Sequence, residues 1–123
     1  MTYIMGCIEV KSILITIVET HSFHKESRKL LGESEVDELK NFLAINPQAG
    51  DIIPGLRGIR KVRWQANQKE KSGGARIIYF FHNLNIPVFL LDIYPKSEKG
   101  DLTSQEKKIM NAMVDELIES YGG

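Results

Sequence analysis

Three strand-like segments follow one another in the second half of this chain with short breaks between them: Ile59 to Trp64, Ala75 to His82 and Val88 to Tyr94. Each is rich in β-branched or aromatic residues and reads as a strand. The break from Gln65 to Gly74 is polar and ends in glycines, and Asn83 to Ile86 suits a tight turn. Strands joined this closely pair antiparallel with their neighbours, so a three-strand meander is the simplest topology. Pro87 fits the first position of the third strand, where no ladder N–H is required.

The flanking segments supply what such a sheet needs for burial. Ile13 to Val18 reads as a first, mostly buried strand, and His21 to Leu31 as a short helix or loop. Ser34 is an expected N-cap for a helix with Val36, Leu39, Phe42 and Leu43 on its inner side, stopped by Asn46-Pro47 and Ala49-Gly50-Asp51. Thr103 and Glu106 have capping-box spacing ahead of a helix whose stripe carries Ile109, Met110, Met113, Val114, Leu117 and Ile118. Its methionines read as core filling or a helix-binding groove rather than a cofactor box. The expectation is an α+β domain: a small, twisted, mainly antiparallel sheet made of an N-terminal strand plus the meander, packed by helices on one face with the other partly open. Residues 1–123 read as one domain, with 1–11 as an N-terminal extension and Met5 as an alternative start.

The charge is distributed unevenly. Between Arg57 and Arg76 stand seven basic residues, Arg57, Arg60, Lys61, Arg63, Lys69, Lys71 and Arg76, against Glu70 alone, a net +6 within a chain of zero formal charge. A charge run on a sheet face is ordinarily only solubilising. Here it is of one sign and rich in arginine, which suits bidentate phosphate contact and points to a polyanion such as RNA or DNA. Alternation puts Lys61 and Arg63 on one face of their strand, with Val62 and Trp64 on the other. Arg76 enters the next strand beside them, and Lys96 and Lys99 follow the last. Tyr79, Tyr94 and Trp64 offer planes for stacking a base, although Trp64 shares parity with Val62 and reads as core.

Other chemistries find less support. Cys7 is the sole cysteine, which fits a reducing, cytoplasmic setting with neither disulfide nor zinc site. The run Ile13–Val18 is too short to span a bilayer. The loop Gln65–Gly74 lacks P-loop spacing. His21, His24 and His82 form no ligand set, and no Ser-His-Asp or Cys-His arrangement is visible. A recognition helix is not evident either, because the last helix turns acidic at Asp115, Glu116 and Glu119.

Five strings in this order resemble RelE/HigB-type toxins of bacterial type II toxin–antitoxin modules. They are Asn46-Pro47 to Gly50-Asp51, Gly55-Leu56-Arg57-Gly58, Arg60-Lys61-Val62-Arg63, Ser72-Gly73-Gly74-Ala75-Arg76-Ile77-Ile78-Tyr79 and Ile93-Tyr94-Pro95-Lys96-Ser97-Glu98. The similarity covers about residues 12–119. It implies an endoribonuclease that cuts mRNA in the ribosomal A site by attack of the substrate's own 2′-hydroxyl, without cofactor or metal. It also implies a cognate antitoxin, with DNA contacted only through the toxin–antitoxin complex, and no membrane partner.

Carried over by position, Lys61 is the candidate base, Arg63 and Arg76 are phosphate clamps and Lys96 is a supporting charge. Arg57, Arg60, Lys69, Lys71, Tyr94 and Lys99 are candidate RNA contacts. The chain has Ser97 where well-studied RelE members carry a further arginine, and Thr103 near the place of their C-terminal tyrosine. Tyr94, Glu98 and Lys99 are therefore alternative donors to the leaving 5′ oxygen. A non-catalytic translation inhibitor that binds ribosome or RNA, or an inactive toxin remnant, is the alternative function.

Overall fold

A computed structural model describes residues 14–64, 74–96 and 101–122. In chain order its elements are β1 (Ile17–Glu19), α1 (His21–Leu30), α2 (Glu33–Ile45), β2 (Asp51–Ile52), β3 (Ile59–Trp64), β4 (Ala75–Phe80), β5 (Val88–Pro95) and α3 (Ser104–Tyr121). The strands form one open five-stranded sheet in the order β1-β5-β4-β3-β2. The β3–β4–β5 meander is antiparallel as expected, and β2 extends it antiparallel. β1 pairs parallel with β5, aligning Ile17 with Val88 and Glu19 with Leu90. The architecture is α+β with a small mixed sheet packed by helices.

Local chemistry sets the element ends. Thr20 closes β1 and opens α1: its hydroxyl donates to the Leu90 carbonyl at 2.8 Å and accepts from the Phe23 N–H at 3.3 Å. The helix expected to start at Ser34 instead takes Gly32 as N-cap. Glu35 reaches back to accept the Gly32 N–H at 2.6 Å, so Ser34 falls inside the first turn. The Thr103–Glu106 capping box forms as the spacing predicts.

The sheet is buried on both sides, which corrects the expectation of helices on one face. Ile77, Tyr79, Val88 and Leu90 pack with Phe23 of α1 and Val36, Leu39 and Leu43 of α2. Ile59, Ile78, Phe80, Phe89 and Leu91 pack on the opposite face with Met110 and Val114 of α3. The reason lies in β4, where all six residues are buried. A strand apolar on both faces needs cover on both, and the stripe of α3 supplies the second.

Candidate nucleic-acid interface

Alternation and register determine which basic side chains meet. Lys61 and Arg63 share their face of β3 with Ile59, hence the α3 side of the sheet. Directly across the strands, Arg63 stands opposite Arg76, and Arg76 opposite Tyr94. This row crosses the end of the sheet where β3 finishes, β4 begins and β5 finishes. Lys96 belongs to the same end, since its N–H donates to the Gly74 carbonyl at 3.2 Å. Two arginines in direct cross-strand register concentrate positive charge at this end of the sheet. Arg76 is 8% exposed and Tyr94 4%, whereas Arg63 is exposed.

One step along the same face, Lys61 is aligned with Ile78 on β4 and with Asp51 on β2. Its Nζ donates to Oδ1 of Asp101 at 3.0 Å, just ahead of α3. That hydrogen bond and the adjacent positive charge hold the Asp101 carboxyl below its ordinary range. Asp51, Lys61, Asp101 and Lys107 line a cleft of about 330 Å³ with Ile53 and Leu102 beneath. A surface of this kind, with arginines and a lysine along one edge, can hold a chain of phosphates by charge and multiple donors.

Among the described residues, the candidates Arg57 and Arg60 do not join this row. Arg60 has the parity of Val62 and so faces α1 and α2, where its guanidinium donates to the Gly50 carbonyl at 2.8 Å and the Gln48 carbonyl at 3.2 Å. Arg57 precedes β3 and pairs with Asp115 of α3. Lys69, Lys71, Glu98 and Lys99 lie outside the described residues. Trp64 packs against Phe42 with ring centroids 5.5 Å apart, as its parity requires. Tyr79 is fully buried, so its ring is core and is not available to stack a base. Its hydroxyl donates to the Pro47 carbonyl at 2.9 Å and accepts from the Gly50 N–H at 2.8 Å. His82 lies over Phe80 at 6.0 Å.

Reasoning from sequence missed Asp101 and Asp51, the carboxylates around Lys61. Their signal is faint: an aspartate two residues before a capping threonine, and another in a turn string. No protein-family model matches this chain. Among the described residues, no helix is long and apolar enough to cross a membrane.

Proposed function

We propose that this chain is a ribosome-dependent mRNA endoribonuclease of the RelE/HigB kind, acting in the cytoplasm and neutralised by a cognate antitoxin. The observation that carries the proposal is the Arg63–Arg76 pair in direct cross-strand register, with Lys61 one step away on the same face. A phosphodiester beside these cations meets their combined positive charge. In the proposed reaction the Lys61 side chain, having released a proton to solvent, takes the proton of the 2′-hydroxyl as its oxygen attacks the adjacent phosphorus, and the bond to the 5′ oxygen breaks as that oxygen takes a proton from solvent. The products are a 2′,3′-cyclic phosphate and a 5′-hydroxyl. Arg63 and Arg76 stabilise the charge that develops on the non-bridging oxygens, and Lys96 adds to the field at that end of the sheet.

A second reading, binding without cleavage, is favoured by the state of the hydroxyls. The Tyr94 ring is 4% exposed, and the Thr103 hydroxyl is engaged as the N-cap of α3. Cell-free translation separates the two. The nuclease reading expects synthesis to stop with shortened mRNA, and Arg63→Ala to restore both full-length message and product. Arrested synthesis over intact mRNA would favour the binding reading. Undiminished synthesis would overturn both.

A further inference from the structure

Lys61 projects from β3 toward the α3 side, where its ammonium is already paired. It is 31% exposed and donates at 3.0 Å to Asp101, whose carboxylate is 83% exposed. A carboxylate oxygen at hydrogen-bond distance from a lysine occupies the position a phosphate oxygen would take on the same donor. Asp101 is followed at once by Leu102, which is buried in the α3 core, and by the Thr103 cap, so its backbone is anchored beside the cleft. Asp51, in cross-strand register with Lys61, adds a second negative charge on the same wall. Lys107 lines the cleft as well and offers a displaced carboxylate another cation.

We infer that Asp101 is a built-in competitor of RNA: in the free protein it occupies the anion position on Lys61, and a substrate phosphate must displace it. This rests on the proposal that the Lys61–Arg63–Arg76 face binds RNA, and it adds a residue that tunes how tightly. The contact is suited to exchange. An exposed lysine–carboxylate pair contributes little to folding, so breaking it leaves the domain intact. Because a phosphate meets a partner already satisfied, the net gain from Lys61 on binding is reduced. Asp101 therefore sets a threshold that a single phosphate passes poorly and a strand making several contacts passes readily. It is a positioning residue, acting on substrate through Lys61.

The test is a double-mutant cycle read by fluorescence anisotropy with a short single-stranded 2′-O-methyl RNA, which binds but cannot be cleaved by 2′-oxygen attack. Asp101→Asn is expected to tighten binding about two- to five-fold, the range that corresponds to an exposed ion pair. Lys61→Met is expected to weaken binding, and Asp101→Asn should then add nothing. Glu116→Gln, an exposed charge removal elsewhere on α3, controls for net charge, and unchanged melting temperatures verify folding. A gain from Asp101→Asn that persists with Lys61→Met, or that Glu116→Gln matches, would overturn the inference by showing a general charge effect. No gain from Asp101→Asn, with Lys61→Met still weakening binding, would overturn it while leaving the RNA-binding face standing. If neither Lys61→Met nor Arg63→Ala weakened binding, the underlying functional proposal would fall.

Discussion

Removing one oxygen from Tyr79 is expected to loosen the loop that brings β2 alongside the candidate site. The Tyr79 ring is fully buried near the end of β4, and its hydroxyl holds the Pro47 carbonyl and the Gly50 N–H at 2.9 and 2.8 Å. Burial raises the Tyr79 hydroxyl above its ordinary titration range, so it remains a neutral donor and acceptor at physiological pH. Tyr79→Phe keeps the ring and its packing but leaves the Gly50 amide buried without this acceptor. Leaving such a donor unsatisfied costs about 1–3 kcal/mol, and the lost bond to Pro47 adds about 1 kcal/mol. A net loss of about 2–4 kcal/mol follows, which for a domain of this size lowers Tm by roughly 8–16 °C. Guanidinium unfolding should show a lower midpoint at unchanged slope. Hydrogen exchange should quicken at the Ile53 amide, which donates to the Ile59 carbonyl at 3.0 Å where β2 leaves β3. A loss below about 0.5 kcal/mol would refute the reasoning, because it would mean the loop does not depend on these two bonds.

Three further outcomes follow from the same structure. Glu19 is 13% exposed and accepts from Arg28 at 2.6 Å and Lys40 at 2.9 Å, joining β1 to α1 and α2. Burial alone would raise its carboxyl, but the two hydrogen bonds and charges outweigh that, and its folded value lies below the unfolded 4.5. A depressed carboxylate contributes stability that is present above the unfolded value and is lost as pH falls through the folded one. Glu19→Gln should therefore lose about 1–3 kcal/mol near neutrality by denaturant unfolding and approach wild type in acid; an equal gap at both extremes would contradict this. Gly58 has φ +76° and a Cβ there would meet the Phe80 ring at 2.8 Å, whereas Gly55, at φ +85°, has open space around it. Gly58→Ala should cost about 2–4 kcal/mol and Gly55→Ala about 1 kcal/mol, with equal losses counting against the packing argument. Arg60→Ala should lower Tm while sparing RNA affinity, and Arg63→Ala should do the reverse, measured by thermal unfolding and anisotropy.

Much of this was legible in the sequence where periodicity is local. Ile59–Trp64 forms the strand that its alternation predicts, and Trp64 sits with Val62 against the helices because parity leaves no other choice. The Thr103–Glu106 box is equally local. What could not be read was set by distant partners. The parallel pairing of β1 with β5 joins segments about seventy residues apart, and the short β2 has no pattern of its own. The stripe on α3 shows that it packs on something without showing on which face. β4 is apolar at every position but Arg76, so alternation could not tell that Tyr79 faces α1 and α2. At the site, Lys61, Arg63 and Arg76 were legible as a unit because parity and register reduce to counting. Arg60 was grouped with them by composition, and its parity already set it apart.

The most direct test of the central claim is primer extension on a defined mRNA, with and without purified ribosomes, comparing wild type with Arg63→Ala and Arg76→Ala. Arg63 is exposed, so its variant keeps the fold and isolates the role of the cation. The account predicts a cut within the A-site codon, present with ribosomes, absent without them, and lost in both variants. Full-length message in the presence of ribosomes and wild-type protein would contradict it.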